Sequence, residues 1–317
     1  MIKVEHVSKY FGNDKMAVED ISFQVEAGET LVLLGTSGCG KTTTLRMINL
    51  LLTPSSGNIY VNGRNIKEQS PEILRRGIGY VMQDNGLFPH YTVAENIAVV
   101  PRLLKWETQR IQSRTTTLLQ KLHLPPAEYQ QAYPRQLSGG QQQRVGLARA
   151  LAADPPVLLM DEPFGALDPV TRSNVRKEFK SLDELQKKTI IMVTHDVQEA
   201  FELGDRICLL NKGRIQQIGT PAALLFKPAN DFVSTFFGSQ RLQLELQTVT
   251  LQDIWAYLPV QNKTSKTGEK LLSASTSCWE ALEVTSNGQP LIIQHHQENK
   301  QADNQLLMAA FSQYKNK

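Results

Sequence analysis

The segment Gly35-Thr-Ser-Gly-Cys-Gly-Lys-Thr42 has a glycine, four variable residues and then Gly-Lys-Thr, the spacing of a phosphate-binding loop. Apolar residues 30–34 before it predict a buried strand, and residues 42–52 after it predict a helix. Glycines let the backbone wrap around an anion, so that N–H groups and a helix N-terminus point at it. A plain glycine-rich turn between strand and helix is the alternative interpretation.

The loop contains two side chains with specific expected roles. Lys41 is expected to reach the β- and γ-phosphates, and Thr42 is expected to give its hydroxyl to Mg²⁺. The candidate nucleotide-binding residues of this stretch are Gly35, Thr36, Ser37, Gly38, Cys39, Gly40, Lys41, Thr42 and Thr43.

Length and composition limit the class of protein. A chain of 317 residues can hold one large domain and a smaller one, and a net charge of +3 gives no reason to expect a nucleic acid partner. No apolar run approaches the roughly 18 residues of a transmembrane helix, and the N-terminus lacks an apolar secretory core. A soluble cytoplasmic chain is therefore expected. Its 3 separated cysteines predict free thiols.

The regions on either side of the loop have different patterns. Alternating apolar residues predict antiparallel β-structure within residues 2–25. This region contains Tyr10 and Phe11, either of which could stack on an adenine ring, with packing in the core as the alternative. Helical spacing interrupted by prolines predicts a helical subdomain over about residues 86–155, inserted into the α/β core.

The last predicted helix of the insertion begins with Leu137-Ser-Gly-Gly-Gln141. Ser138 and Gln141 fit a capping box, which needs no ligand to explain it. Gly139 and Gly140 are unfavourable in a first helical turn unless another molecule approaches the backbone closely. A second anion site at this helix start is therefore the more specific hypothesis, beside the capping box alone.

Acidic and histidine side chains follow two further predicted strands. Residues 157–160 predict a strand buried on both faces, which ends in Asp161 and Glu162. The carboxyl ends of parallel strands are where α/β sheets bind ligands. Asp161 is thus the expected Mg²⁺ partner, and Glu162 could polarise an attacking water. His195 follows the strand predicted over residues 189–193, although a histidine in a turn is more often simply solvated.

The later part of the chain predicts helix caps, a hairpin and a boundary. Asp168 before a proline is the expected N-cap of the next helix, and this capping role is a complete structural explanation for the residue. Residues 206–218 predict a closing hairpin. After Gly238-Ser239 the chain becomes rich in glutamine, so we predict one domain over 1–237 and a linker over 238–270. Within that linker, residues 262–269 are expected to form an exposed loop.

Together these features make residues 1–237 resemble the ATPase subunit of an ATP-binding cassette (ABC) transporter. The resemblance implies an α/β P-loop NTPase core with an antiparallel β subdomain and an inserted helical subdomain. It also implies that two chains sandwich two ATP molecules, with the loop of one facing the signature of the other. The matching motifs are the phosphate loop, Gln83 of the Q-loop, the signature at 137–141, Asp161-Glu162, the D-loop Ala166-Leu-Asp168, and His195.

The resemblance implies roles for single residues. Glu162 would be the general base, His195 would contact the γ-phosphate, and Gln83 would touch Mg²⁺ and link to the membrane subunit. Phe11 is most similar to the family's adenine-stacking aromatic residue, with Tyr10 as the neighbouring alternative. Further candidate nucleotide-binding residues, of which those of the signature would close over the partner's ATP, are Ser138, Gly139, Gly140, Gln141 and Asp168.

Finer motifs are similar to those of importers for compatible solutes such as glycine betaine, choline or carnitine. This resemblance implies a second copy of the chain, integral membrane permease subunits and, indirectly, a substrate-binding protein as partners. It implies a peripheral position on the cytoplasmic face of the membrane. An importer ATPase for another solute and a soluble ABC ATPase without a transport role are the alternatives. The motifs concerned are residues 86–90, 92–97, 100–106 and 161–171.

The tail has a weaker resemblance of its own. Residues 271–317 are similar to a single CBS-type module, a small α/β unit. A strand and the start of a helix are expected over 271–284, a second strand over 288–293 and a last helix over 304–314. A plain dimerisation or spacer role is the alternative.

Overall fold

The computed structural model describes residues 1–12, 15–84, 86–165, 167–259, 270–286, 289–296 and 298–316. Their contacts divide the chain into two compact units, Met1–Ile218 and Gly219–Lys317. The strands are β1 (Ile2–Phe11), β2 (Lys15–Val25), β3 (Thr30–Gly35), β4 (Ser56–Val61), β5 (Arg64–Asn65), β6 (Ile78–Val81), β7 (Val157–Asp161), β8 (Thr189–Thr194), β9 (Arg206–Asn211), β10 (Arg214–Gly219), β11 (Leu271–Ser273), β12 (Leu291–His295) and β13 (Glu298–Ala302).

The helices connect these strands and dominate the region between β6 and β7. Within the described ranges, none is both long and apolar enough to cross a membrane. The α-helices are α1 (Lys41–Ile48), α2 (Pro71–Arg76), α3 (Val93–Leu103), α4 (Thr108–Lys121), α5 (Pro126–Tyr129), α6 (Gly139–Leu151), α7 (Pro169–Ser181), α8 (Val197–Leu203), α9 (Pro221–Phe226), α10 (Asp231–Phe236), α11 (Arg241–Thr248), α12 (Cys278–Thr285) and α13 (Asn304–Lys315).

A six-stranded sheet in the order β10-β9-β3-β8-β7-β6 forms the centre of the first unit. The strands from β9 to β6 pair in parallel, which confirms the predicted α/β core. Every residue of β7 and β8 is buried, as expected for strands covered on both faces. Leu34 pairs with Thr194, and Val193 pairs with Asp161. Because of this register, β3, β8 and β7 end at the same edge of the sheet.

A second sheet of order β2-β1-β4-β5 confirms the antiparallel structure predicted before the phosphate loop. Its buried side chains, such as Val7 and Ile59, share one hydrophobic core with Leu33 of β3 and Leu159 of β7. The two sheets of this unit are therefore held together by apolar packing, which supports the loop that follows β3.

Helices α3 to α6 occupy the stretch between β6 and β7, where helical structure was predicted. A capping box begins α3, in which the Glu95 N–H donates to Thr92 Oγ1 and the Thr92 N–H donates to Glu95 Oε2. The helix predicted over residues 42–52 is shorter in the structure. Helix α1 ends at Ile48 because Leu50 takes a left-handed conformation (φ +50°), and α7 ends at Ser181 because the next residue is extended.

The division between the units lies earlier than the predicted boundary after residue 237. Helices α9 and α10 belong to the second unit, where the Arg241 side chain donates to the carbonyl oxygens of Leu225 and Ser234. The fully buried Glu245 pairs with both Arg241 and Lys315. Glutamine content marks the change in composition but not the start of the second unit at Gly219, which lies 19 residues before the predicted start of the linker at residue 238.

The sheet of the second unit has the order β11-β12-β13, with β11 and β12 parallel and β12 and β13 antiparallel. The predicted strand over 288–293 begins at Leu291, and residues 262–269 lie outside the described residues. Strand β13 and helix α11 were not predicted. Strand β13 is polar, and one of its buried positions is Lys300, whose ammonium donates to the carbonyls of Trp255 (2.8 Å) and Leu258 (2.6 Å).

Glu184, in the segment between α7 and β8, joins that segment to the helical insertion. Its carboxylate accepts two hydrogen bonds of 3.0 Å from Arg114 and one of 2.8 Å from Lys121, both on α4. Arg114 also donates to the carbonyl of Leu151 at the end of α6. The hydrogen bonds from Arg114, followed by those from Lys121, lower the pKa of Glu184 to about 2.

Replacing Glu184 by glutamine is expected to lower the free energy of unfolding by about 1–2 kcal/mol near neutral pH, because two cations lose their anionic partner. The native pKa of about 2 lies below the ordinary value of 4.5, so the stabilisation is complete above pH 4.5 and is lost as the pH falls through about 2. Urea unfolding of Glu184→Gln and wild type at about pH 7 and about pH 3 measures this. Glu68→Gln, at an exposed position, is the control. An equal difference at both pH values would contradict the assignment.

Candidate functional site

The phosphate loop lies between β2 and β9, and two of its glycines have no room for a side chain. Gly35 has φ +152°, and a Cβ there would lie 2.2 Å from the carbonyl oxygen of Leu210. Gly40 has φ +105°, and its Cβ would lie 2.5 Å from the carbonyl oxygen of Ala17. These positions need glycine because both conformation and space exclude other residues. The loop therefore presents its backbone to the neighbouring cleft.

Lys41 begins α1 and is 5% exposed. Its Nζ donates to the carbonyl oxygens of Gly35 (2.8 Å) and Thr36 (2.9 Å) and lies 3.8 Å from Cys39 Sγ. Burial raises the pKa of the Cys39 thiol, although the charge of Lys41 opposes that shift. The ammonium is thus held at the centre of the loop, next to a thiol that is neutral near neutral pH.

Thr42 and Asp161 are 119 residues apart in sequence and are joined by one short hydrogen bond. Thr42 Oγ1 on α1 donates to Asp161 Oδ1, at the end of β7, over 2.7 Å. Asp161 is 2% exposed, and burial raises its pKa, whereas the Thr42 hydrogen bond and the nearby Arg46 charge oppose that rise. A hydroxyl and a carboxylate in contact form the kind of oxygen donor set that Mg²⁺ prefers.

Glu162 follows Asp161 and adopts a left-handed backbone conformation (φ +46°). Its N–H donates to the carbonyl of Val193 over 3.0 Å, which ties it to the neighbouring strand β8. Its Oε2 lies 3.2 Å from His195 Nδ1 and 3.4 Å from Gln83 Nε2. Gln83 and His195, which follow β6 and β8, therefore converge on one carboxylate oxygen of Glu162, which follows the neighbouring strand β7.

These side chains face a single cleft of about 570 Å³. The cleft contains most of the predicted loop residues together with the residues that follow the central strands. Gly35, Thr36 and Asp161 lie behind this lining, in contact with Lys41 or Thr42. The lining residues are Ala17, Ser37, Gly38, Cys39, Gly40, Lys41, Thr42, Thr43, Gln83, Glu162 and His195.

Three further sets of predicted site residues are not part of that lining: the two aromatic residues of β1, Asp168 and the signature segment. Tyr10 and Phe11, at the end of β1, are 43% and 41% exposed, and the ammonium of Lys9 lies 5.2 Å from the Phe11 ring centroid. Both rings are accessible, so the geometry does not decide between them as a stacking surface. Asp168 also lies outside the lining and caps α7 by accepting from the N–H groups of Val170 and Thr171, as predicted.

The signature segment is the third of these sets and begins α6. Ser138 is the N-cap, and its reciprocal hydrogen bonds with Gln141 confirm the predicted capping box. Ser138 and Gly139 are exposed, and a Cβ at Gly139 would meet no described atom within 4 Å. This helix start therefore faces open space rather than the cleft of its own chain.

Comparison with known proteins agrees with this combination of loop, strand ends and signature. The family described as "ABC transporter" matches residues 18–165. The glycine betaine uptake system ATP-binding protein YehX of Escherichia coli (strain K12) is 48% identical over 276 residues, which are 87% of this chain and 88% of that protein. The chain belongs to the ABC transporter family of ATP-binding proteins.

Other members of the ABC family extend the comparison. The glycine betaine/carnitine/choline transport ATP-binding protein OpuCA of Bacillus subtilis (strain 168) is 53% identical over 242 residues, 76% of this chain. The chain spans 63% of the length of that relative. A dimeric, post-hydrolysis structure of an ATP-binding cassette with ADP and phosphate has a TM-score of 0.62 and 32% identity, covering 69% of this chain and 98% of its own. The mixed α/β cassette fold is therefore shared.

In this ABC family member, two residues near the cleft were not predicted. Ala17 of β2 lines the cleft through its position beside Gly40, and no sequence signal distinguishes it. Arg46 lies one turn after Thr42 on α1, and its charge opposes the rise that burial causes in the pKa of Asp161. The four-residue spacing puts Arg46 and Thr42 on the same helix face and could have identified it.

Proposed function

We propose that this chain binds and hydrolyses MgATP as the energising subunit of an ABC importer for quaternary-ammonium osmoprotectants. The observation that carries the proposal is the convergence on one cleft of Lys41, Thr42, Gln83, Glu162 and His195, with Asp161 bonded to Thr42 behind the lining. A phosphate loop alone would support nucleotide binding, whereas the carboxylate, amide and imidazole opposite it supply the groups that hydrolysis needs.

The loop side of the cleft would hold the nucleotide. Backbone N–H groups of residues 36–42 and the N-terminus of α1 favour the negative charge of the phosphates. Lys41 Nζ would exchange its bonds to Gly35 and Thr36 for phosphate oxygens. Thr42 and Asp161, with Gln83 nearby, would hold Mg²⁺. An ion held there would supply positive charge to neutralise the negative charge that develops on the phosphates.

The opposite side would act on water. Glu162 is the candidate general base because its carboxylate lies in the cleft and is aimed by the Val193 hydrogen bond. His195 Nδ1 is within 3.2 Å of that carboxylate, so the imidazole can orient it and present its other nitrogen to the γ-phosphate. Gln83 approaches the same oxygen and can position water through its amide.

The signature at the start of α6 supports a second copy of the chain as partner. Ser138, Gly139, Gly140 and Gln141 form a helix N-terminus that favours an anion but does not line the cleft of their own chain. Two copies placed head to tail would bring each signature to the other's phosphate loop. Asp168 and the exposed Val170 at the start of α7 would then lie at the interface.

The transported solute and the membrane partners are inferred from the relatives described above, whose names include glycine betaine, carnitine and choline. Through integral permease subunits the chain would sit peripherally on the cytoplasmic face of the membrane, and a separate binding protein would select the solute. The second unit has the order strand, helix, strand, strand, helix after residue 270, which supports its comparison with a single CBS-type module. A role in dimerisation or spacing is the simpler possibility for it.

Lys41→Ala and Glu162→Gln are expected to block different steps of ATP hydrolysis. Lys41→Ala should lose ATP binding, because the loop loses its buried cation. Glu162→Gln should bind ATP normally and lower the hydrolysis rate by about 100-fold or more, because the amide cannot accept the proton of water. Filter binding with labelled ATP and phosphate release measure the two steps. Glu68→Gln is the control, and turnover by Glu162→Gln at the wild-type rate would refute the general-base role.

Mixing two inactive variants tests the composite site. Ser138→Arg should abolish hydrolysis and leave ATP binding to monomers intact, because the added bulk meets the partner's phosphates. A mixture with Lys41→Ala should regain activity, since each heterodimer has one site with both Lys41 and Ser138 intact. Ser113→Arg, on an exposed position of α4, controls for bulk. If heterodimers form, as native mass spectrometry can show, and no activity returns, the head-to-tail arrangement is wrong.

Solute uptake tests the transport proposal. Cells that lack the chain should lose energy-dependent uptake of labelled glycine betaine, and wild type but not Glu162→Gln should restore it. Choline and carnitine are expected to compete with the label, whereas a sugar is not. Restored uptake of a different solute would support the alternative that the chain energises an importer for another class of solute. If no membrane protein co-purifies with the chain and no solute depends on it, the non-transport alternative would replace the proposal.

A further inference from the structure

The turn that carries His195 is fixed on both sides by a cluster of polar side chains. Thr194 Oγ1 donates to Glu199 Oε2 over 2.6 Å and accepts from the Asp196 N–H over 2.9 Å. The Asp196 carboxylate caps α8 by accepting from the N–H groups of Gln198 (2.8 Å) and Glu199 (3.2 Å). The backbone on each side of His195 is therefore held in place while its imidazole is 57% exposed to the cleft.

Arg172 of α7 connects this turn to a different part of the chain. Its Nη1 donates to Asp196 Oδ2 over 3.3 Å, and its Nη2 donates to the carbonyl of Leu167 over 2.9 Å. Leu167 is 5% exposed, and its N–H donates to the Phe164 carbonyl, so its carbonyl is a fixed acceptor. One planar guanidinium thus sets the position of Asp196 relative to the segment before α7.

Arg176, one turn later on α7, makes different contacts. Its Nη1 lies 3.8 Å from Asp196 Oδ2, and its Nε lies 3.1 Å from Glu202 Oε2 on α8. Both acceptors belong to the His195 side of the cluster. Arg176 therefore adds charge beside Asp196, whereas Arg172 also reaches the buried Leu167 carbonyl.

A purely stabilising role explains the arrangement around Arg172 poorly. Its side chain and that of Asp196 are 24% and 22% exposed, and ion pairs removed from water in this way contribute little net stability. The Nε of Arg172 is also buried, and no hydrogen-bond partner for it is found among the described residues. A buried donor without a partner destabilises the fold. The two diverging hydrogen bonds of Arg172 therefore fix the position of Asp196, and this arrangement lowers the stability of the fold.

We propose that Arg172 is a positioning residue for His195. Its two donated hydrogen bonds link Asp196 to the Leu167 carbonyl, and so hold the adjacent His195 Nδ1 within 3.2 Å of Glu162 Oε2. The inference rests on the proposed ATP hydrolysis, because His195 and Glu162 are assigned to that reaction. Arg172 itself does not line the cleft and touches no reacting group.

Steady-state kinetics of the full-length chain test the positioning role. Arg172→Met should lower kcat by about tenfold or more and leave the KM for MgATP within about twofold, since the phosphate loop is unchanged. Arg172→Lys should lose nearly as much, because one ammonium cannot make two diverging donations. Arg176→Met is the matched control. It should keep kcat within about threefold of the wild-type value, while its thermal midpoint falls about as much as that of Arg172→Met. Full activity of Arg172→Lys would show that charge alone suffices and would overturn the proposal.

Placing Arg172→Met in one or the other chain of a heterodimer distinguishes positioning of His195 from a general effect on the fold. In a mixture of Ser138→Arg and Lys41→Ala chains, the competent cleft belongs to the Ser138→Arg chain. Adding Arg172→Met to that chain should remove about nine-tenths or more of the activity, whereas adding it to the Lys41→Ala chain should leave most of it. Equal losses in both placements would refute action through the His195 of the same chain.

The same measurements distinguish this inference from the function on which it rests. If wild type releases no phosphate from MgATP, the proposed function is wrong. If wild type and Arg176→Met are active and Arg172→Met is equally active, the proposed function stands and the positioning role is wrong.

Discussion

The parallel pairing of β3, β8 and β7 is the constraint on which the site depends. Leu34 lies beside Thr194, and Val193 lies beside Asp161, so three strands end together at one edge. Residues that immediately follow such strands are brought close regardless of their separation in sequence. The hydrogen bond from Thr42 to Asp161 crosses from the helix after β3 to the end of β7 and links the two outer members of this group.

Much of the site could be predicted because its signals are local. A glycine-rich loop after a buried strand, and carboxylates after a second buried strand, each predict a position at the edge of a parallel sheet. The structure brings Lys41, Thr42, Asp161, Glu162 and His195 together at that edge as expected. Their chemical roles are still predictions, since geometry gives proximity and not rate.

Other features depend on contacts that no local pattern records. The second unit begins at Gly219 because Arg241 and Glu245 bind α9 and the C-terminal helix, and these contacts join distant parts of the chain. Strand β13 has no apolar alternation because a lysine fills one of its buried positions. The two hydrogen bonds of Arg172 likewise depend on the packing of α7 against the turn after β8. Helix and strand periodicity report burial, whereas the direction of a long polar side chain follows from its neighbours.

The left-handed conformation of Glu162 has a consequence for any attempt to stabilise this protein. A residue with a Cβ is strained at φ +46° by about 1–2 kcal/mol, and glycine would relieve that strain. The hydrogen bond to Val193 maintains the strained conformation and aims the side chain into the cleft. Screening for thermal tolerance would therefore tend to select glycine at this position, and the more heat-resistant chain would be the one that had lost its carboxylate.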